Sequence, residues 1–94
     1  MISVLKNKHN IFIYLNGSKY YYTNDHLNRE NGPAYISRLT KQWFNNNIPH
    51  RLDGPALIYL DGRKDWQVWY YNGKYINCNT QEEFERLIKL RLLW

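Results

Sequence analysis

Three histidines and one cysteine are the side chains of this 94-residue chain that most often bind metals or act as nucleophiles. His9, His26 and His50 form no H-x3-H or H-E-x-x-H pair, and Cys78 has no second cysteine at ligand spacing. Zinc sites need several ligands at short, regular spacing, so no metal site is expected. A Cys–His nucleophile would require the fold to place a histidine next to Cys78. Turn packing for His50 and a partly buried thiol for Cys78 are the favoured interpretations.

The carboxylates give no clear catalytic pair either. Asp53, Asp61 and Asp65 are close in sequence, and paired catalytic carboxylates must share one pocket. Asp53 and Asp61 fill recurring turn positions, which accounts for both without a pocket. All five glycines lie in turns or Gly-Pro boxes, so no glycine loop cradles a phosphate. The sequence therefore predicts a protein that is not an enzyme and that uses no cofactor and no metal.

Aromatic and basic side chains offer better material for binding. Aromatic residues make up 17% of the chain, and the formal net charge is +5. The whole excess lies in residues 1–79, where ten Lys and Arg face five Asp and Glu, because residues 80–94 sum to zero. This composition favours an anionic partner, which is a nucleotide, a nucleic acid, a phospholipid head group or an acidic protein. Solubility alone is the other explanation of the charge.

Strand alternation predicts which rings are exposed. If Trp66 faces inward, in the aromatic position of the repeat described below, then Trp69 and Tyr71 face outward. An outward ring beside a cation can stack a base or anchor a protein, although such cations also serve as solvated edge charges. The predicted ligand- or partner-binding residues are Trp69, Tyr71, Tyr21, Lys64, Arg63, Lys74, Lys41 and His50.

The chain repeats itself with an offset of 22 residues. Residues 29–36 (RENGPAYI) recur as residues 51–58 (RLDGPALI), and the next copy contains an apparent three-residue insertion around 67–69. A period of 20–50 residues indicates a repeat architecture. Arg29 and Arg51 recur with it, and each is expected to pack over an aromatic ring of the next hairpin.

Two further recurring positions carry turn dipeptides. Asn16-Gly17 recurs as Asp61-Gly62, and a second position holds Asn24-Asp25, Asn46-Asn47 and Asn72-Gly73. Such dipeptides favour two-residue hairpins. The short aromatic and β-branched runs between them predict an antiparallel meander of about six strands. These strands cover residues 11–15, 20–23, 34–36, 42–44, 56–60 and 66–71.

The end of the chain differs in kind. Thr80-Gln-Glu-Glu83 is a capping box, and apolar residues follow it at helical spacing, so a helix is predicted at about residues 80–92. The fold class is therefore mainly β, with a hairpin-repeat sheet over residues 1–79 and a helix in residues 80–94 packed on the sheet or on a partner chain. The apolar last turn exceeds what a small sheet needs, which predicts a homo-oligomer.

One family resemblance follows from these motifs. The unit R-x-x-G-P-A-x-I-x-x-D-G-x-x-x-W, followed by N-G, resembles the MORN-like hairpin repeats of phage and large-virus proteins. The copy at residues 51–66 carries all of it, whereas the previous copy reads Arg38-Leu39-Thr40 in place of Asp-Gly. The resemblance covers roughly residues 11–77. It implies a β-hairpin repeat sheet of viral origin that serves as an interaction surface, and it leaves the activity open.

These observations favour a non-enzymatic binding or sequestering protein. The hypothesis is a viral counter-defence factor that occupies a host protein or a nucleotide-like anionic ligand; the alternative is a nucleic-acid-binding module that uses an aromatic, basic sheet face. A membrane-surface role of the basic, apolar helix is a third option. The single cysteine, the absence of a signal core and the lack of any run of 18 apolar residues predict a cytoplasmic protein without integral membrane association.

Overall fold

The structure of the protein, a computed structural model, describes residues 2–6, 10–60 and 65–92. In these ranges the chain is mainly antiparallel β with one C-terminal helix, which confirms the predicted fold class. The strands are β1 Ile2–Lys6, β2 Asn10–Leu15, β3 Ser18–Thr23, β4 His26–Leu27, β5 Tyr35–Ile36, β6 Thr40–Gln42, β7 Phe44–Asn45, β8 Ile48–Pro49, β9 Leu57–Leu60, β10 Asp65–Tyr71 and β11 Lys74–Ile76, and the helix is α1 Gln81–Leu92.

The strands form one antiparallel meander in the order β1-β2-β3-β5-β6-β9-β10-β11. Strand β4 pairs with the end of β3, and β7 pairs with β8 in a small hairpin of its own. The six predicted runs all contain strand residues. The sequence reasoning missed β1 and the short arms β4, β8 and β11.

Four of the recurring dipeptides form the predicted two-residue turns. Both residues have positive φ in Asn16-Gly17, Asn24-Asp25, Asn46-Asn47 and Asn72-Gly73. This is the conformation of a type I′ turn, whose twist matches that of the flanking strands. Asparagine and aspartate tolerate it because their short polar side chains stabilise the left-handed region. The Asp61-Gly62 turn lies outside the described residues.

The molecule is a thin slab rather than a sphere. Its principal extents are 43 × 35 × 17 Å, and its radius of gyration is 14.6 Å, compared with roughly 12 Å for a compact domain of this length. The main cluster of buried side chains lies at one end, where the helix packs against the last strands. It consists of Trp69, Ile76, Cys78, Phe84 and Ile88.

The helix begins with the predicted capping interaction. Thr80 Oγ1 accepts a hydrogen bond from the Glu83 N–H at 3.1 Å. The Glu83 carboxylate accepts from the Asn79 N–H at 3.1 Å, one residue before the position that a capping box predicts. Both bonds satisfy backbone donors that would otherwise lack partners at the start of α1.

The strand register separates the sheet into two unlike faces. One row of paired residues crosses seven strands through Tyr20, Tyr35, Gln42 and Val68. Because side chains alternate, the residues next to this row point to the opposite side. We call the side that carries Tyr20 the open face, and the opposite side, which carries α1, the helix face.

Candidate functional site

Large and small side chains alternate across the helix face. Tyr21, Trp43 and Trp69 lie at the same level on β3, on the residue that follows β6, and on β10. Ala34 and Ala56 lie between them and are completely buried. The Tyr21 and Trp43 N–H groups donate to the carbonyls of Ala34 and Ala56, at 2.8 and 2.7 Å. The alanines of the repeat therefore leave room for the large rings beside them.

An arginine covers each of the first two rings. The Arg29 guanidinium carbon lies 3.9 Å from the centre of the Tyr21 ring, and that of Arg51 lies 3.8 Å from the Trp43 ring. The predicted packing of the recurring arginines on aromatic rings is confirmed. However, each ring comes from the preceding strand, eight residues before its arginine, and not from the next hairpin. The contact is a cation–π interaction.

The glycine of each Gly-Pro box lies close to its arginine. A Cβ atom on Gly54 would stand 2.6 Å from Cζ of Arg51, and one on Gly32 would stand 3.1 Å from Nη1 of Arg29. Nη1 of each arginine donates to the carbonyl of the following proline, at 3.2 Å for Pro33 and 3.1 Å for Pro55. The motif R-x-x-G-P thus holds a guanidinium between an aromatic ring and a glycine.

The second arginine also binds a carboxylate. Arg51 Nε donates to Asp53 Oδ1 at 3.0 Å, and this hydrogen bond lowers the pKa of the Asp53 carboxyl below its ordinary value. The Asp53 side chain is largely exposed, so this pair contributes little to stability. It does fix the orientation of the guanidinium.

Both stacks border one open groove of about 1250 Å³, which we call the arginine groove. Phe12, Tyr21 and Trp43 contribute rings to its lining, and Arg29 and Arg51 contribute the guanidinium groups. The two stacks come from strands two positions apart in the sheet, which corresponds to a separation of about 10 Å. Lys6 lines the end of the groove at the sheet edge, and the carboxylates that line it are Glu30 and Asp53.

Two of the eight predicted site residues, Tyr21 and His50, line this groove. Lys41 and Lys74 are exposed, but they do not line the groove, and neither does Tyr71. Arg63 and Lys64 lie outside the described residues. The residues predicted to bind did not include Arg29, Arg51, Trp43 or Phe12, which also line the groove. The 22-residue recurrence of the arginines, eight residues after each ring, was the available signal.

The predicted orientation of Trp69 is wrong. Trp69 is 3% exposed and belongs to the core, whereas Trp66 is 59% exposed on the open face. The cause is the position and the length of the insertion, which does not lie at residues 67–69, because residues 65–68 pair with residues 57–60 without a break. The register makes Val68 equivalent to Gln42, 26 residues apart instead of 22, so the β9–β10 hairpin is four residues longer and not three. A three-residue difference would have placed Trp69 on the open face. The four-residue difference places it on the helix face, like Tyr21 and Trp43.

In the last copy the helix, and not an arginine, covers the aromatic ring. The position eight residues after Trp69 is Asn77, and the Trp69 ring packs instead against Phe84 and Ile88. Its indole Nε1 donates to Gln81 Oε1 at 2.8 Å. The helix therefore ends the repeat array, as terminal caps do in other repeat proteins.

His50 connects neighbouring hairpins. Its Nδ1 accepts a hydrogen bond from the Asn72 N–H at 2.9 Å. The residue 22 positions earlier, Asn28, accepts from the Asn46 N–H through Oδ1 at 3.3 Å. Both residues therefore bond the first turn residue of the next hairpin. In this copy the acceptor must be a neutral imidazole, and burial lowers the pKa of His50.

This contact makes the stability of the sheet depend on pH. The unfolded chain binds a proton at His50 more readily than the folded chain, so the contribution is complete above about pH 6.5 and falls as the pH decreases below it. His50→Asn keeps an acceptor, as Asn28 does, and should flatten the decrease of the urea midpoint between pH 7 and pH 5. His26→Asn is the control: His26 is exposed, and its Nδ1 contacts the side-chain amide of Asn47 at 2.8 Å rather than a backbone N–H, so this variant should retain the wild-type decrease. An equal flattening in both variants would contradict the assignment to His50.

The remaining reactive groups are accounted for by packing. Cys78 is buried, and burial together with the nearby Glu83 carboxylate raises the pKa of its thiol, which disfavours the nucleophilic thiolate. Within residues 2–6, 10–60 and 65–92, no three His, Cys, Asp or Glu side chains are placed to hold a metal ion. The described part of the chain also contains no helix long and apolar enough to cross a membrane.

Comparison of the chain with protein-family models, with curated proteins and with solved structures finds no match to any of them.

Proposed function

We propose that the protein is a non-enzymatic binding protein that holds a nucleotide-like anionic ligand in the arginine groove. The observation that carries this proposal is the pair of guanidinium groups, held in repeat-equivalent positions on the border of one groove. An arginine fixed before the ligand arrives loses little side-chain entropy on binding. The packing that stabilises the sheet thus also prepares two cations for a ligand.

The edges of these guanidinium groups are the parts available for a phosphate. The aromatic ring covers one face of each group, and the glycine lies against the group at close range. A guanidinium has five N–H donors, and Arg51 uses Nε and Nη1 for contacts within the chain. Its side chain is 21% exposed. Two such edges, above rings from strands about 10 Å apart, suit a ligand with two separated phosphate groups.

In the cell, binding in this groove sequesters the ligand. A chain that holds an anionic nucleotide signal without converting it removes that signal from its receptor. The repeat resemblance supports a viral counter-defence role in the host cytoplasm, and a host protein that presents phosphorylated or acidic groups is the other occupant that this role would involve. The packed state of Cys78 supports binding rather than catalysis.

Titration calorimetry with a cyclic dinucleotide, a nucleoside triphosphate and inorganic phosphate tests the proposal. The double variant Arg29→Gln/Arg51→Gln should weaken nucleotide binding at least about tenfold, because each charged hydrogen bond is worth about 1.5–3 kcal/mol. The matched control Lys41→Gln/Lys74→Gln removes the same charge outside the groove and should bind like the wild type. Equal losses in both double variants would reduce the effect to net charge and contradict a site.

A third variant covers the case in which loss of the stacks unfolds the sheet. Glu30 is exposed on the groove lining, so Glu30→Lys adds positive charge there and leaves both stacks in place. It should tighten nucleotide binding severalfold at low salt. Glu82→Lys makes the same charge change on the helix surface and should not. No binding by the wild type, or no gain in Glu30→Lys, would count against the groove.

A nucleic-acid-binding module remains the second candidate. It is supported by three cations that line the same groove: Lys6 lies on β1, and Arg29 and Arg51 lie in the segments that precede β5 and β9. Binding of a single strand would fall steeply with salt, because each neutralised phosphate releases counterions. The affinity for a free nucleotide depends on salt much less, because fewer phosphates are neutralised. The slope of log K against log salt therefore separates the two candidates.

A further inference from the structure

The open face of the sheet is aromatic and largely uncovered. Its central row contains Ile13, Tyr20, Tyr35 and Leu57, and its second row contains Tyr59 and Trp66, which are paired across β9 and β10. None of these side chains is buried. The helix packs on the opposite side, against the last strands, and no helix or strand among residues 2–6, 10–60 and 65–92 packs across the open face.

The most exposed large rings lie on the open face. Tyr59 is 46%, Trp66 59% and Tyr75 59% exposed, and Tyr75 pairs with Tyr70 of the open face. At about 200 Å² for each ring, these three leave on the order of 300 Å² in solvent. The half-buried neighbours add to this area, and the broad face of the slab, 43 by 35 Å, is large enough for the ~800 Å² that each partner buries in a standard interface. The three rings alone reach the lower end of the ~300–600 Å² that the largest apolar patch of a typical monomer covers, and such patches are often functional.

The charge of this face separates it from the rest of the molecule. The chain carries a net charge of +5, yet the two rows contain no Lys, Arg, Asp or Glu. They consist of Val4, Ile13, Tyr20, Tyr35, Gln42, Leu57 and Val68, and of Ile2, Leu15, Ser18, Ser37, Thr40, Tyr59 and Trp66. An anionic partner would find no cation in these rows. The alternation along β1 places one cation, Lys6, on this side, at the edge of the sheet and outside the two rows. The rows of an identical copy carry no charge to repel, and they offer the same rings in return.

We propose that two copies of the chain pack through their open faces. Two sheets stacked face to face lie about 10 Å apart, with interdigitated side chains between them. A two-fold arrangement uses the same patch on both copies. It places the two arginine grooves on opposite outer surfaces, so one dimer presents two sites. The surface differs from the helix end from which the sequence predicted self-association.

Sedimentation equilibrium over a range of protein concentrations tests this dimer. The wild type should reach twice the monomer mass, and Trp66→Lys and Tyr59→Lys should each raise the dimer dissociation constant at least about tenfold, because a lysine would be buried between two apolar faces. Both positions are exposed in a single copy, so far-UV circular dichroism and the urea midpoint of each monomer should remain close to wild type. Nucleotide binding should also persist, since the groove lies on the other face.

Two control variants make the same change at exposed leucines elsewhere. Leu39 lies between β5 and β6 and is 60% exposed, and Leu90 lies on the helix and is 48% exposed. Leu39→Lys and Leu90→Lys should leave the dimer intact. A wild type that stays monomeric at all concentrations would overturn the proposal. A dimer that Leu90→Lys dissociates and Trp66→Lys does not would also overturn it, in favour of the helix.

Discussion

Trp69→Ala is expected to destabilise the protein by about 3–5 kcal/mol, the usual cost of removing a fully buried large aromatic side chain. The Trp69 ring is 3% exposed and is packed with Ile76, Phe84 and Ile88. Its loss also leaves Gln81 without the indole donor. A domain of this size has roughly 5–14 kcal/mol of stability, and a single-layer sheet with a small core lies near the lower limit. A large fraction of the variant should therefore be unfolded without denaturant.

Trp66→Ala is the matched control, three residues earlier on the same strand. Its side chain is 59% exposed, so the expected loss in the monomer is below about 1 kcal/mol. Urea unfolding followed by far-UV circular dichroism gives both values. A low protein concentration keeps the protein monomeric, so association through the open face does not contribute. A larger loss for Trp66→Ala than for Trp69→Ala would mean that the two faces of β10 are reversed.

Local signals were sufficient to predict the turns and most of the strands. Asn16-Gly17 and Asn72-Gly73 adopt positive φ, which glycine tolerates because it lacks a Cβ atom and asparagine because of its short polar side chain, so the dipeptide itself marks the turn. Strand β1 was missed because residues 7–9 contain no such dipeptide to mark its end. The capping box at Thr80 was equally local, and the helix begins at Gln81.

The orientation of the rings was not a local property. Trp66 and Trp69 have opposite orientations in the strand, and only the register of β10 against β9 decides which one is buried. Counting residues back from the following turn identifies the ring that is buried. Tyr21, Trp43 and Trp69 each stand three residues before a turn of the same type, whereas a count from the Gly-Pro box carries the variable hairpin length with it.

The arginine groove depends on contacts between strands that are far apart in sequence. The 22-residue recurrence predicted that Arg29 and Arg51 pack on rings, but it did not identify the rings. The order of the strands brings Phe12, Tyr21 and Trp43 together along one groove. The closeness of Gly54 to its arginine likewise depends on tertiary structure. The sequence shows only that the spacing R-x-x-G occurs twice.

Gly54→Ala should destabilise the sheet by about 1–3 kcal/mol by forcing Arg51 off the Trp43 ring. The added Cβ would stand 2.6 Å from the guanidinium carbon, so Arg51 would have to move and would lose its contacts with the Trp43 ring and the Pro55 carbonyl. Backbone strain does not confuse the result, because Gly54, unlike Gly32, does not have positive φ. Urea unfolding measures the loss.

A double-mutant cycle with Arg51→Ala shows whether the arginine is the cause. Once the guanidinium is absent, the methyl group of Gly54→Ala has room, and its cost should fall below about 0.5 kcal/mol, because alanine also lowers the entropy of the unfolded chain. The coupling energy between the two changes should therefore reach about 1–2 kcal/mol. Additive losses would mean that Gly54 is required for a reason other than Arg51. Since the same clash would displace one of the two guanidinium edges, Gly54→Ala should also weaken nucleotide binding in the groove, even where the folded population remains complete.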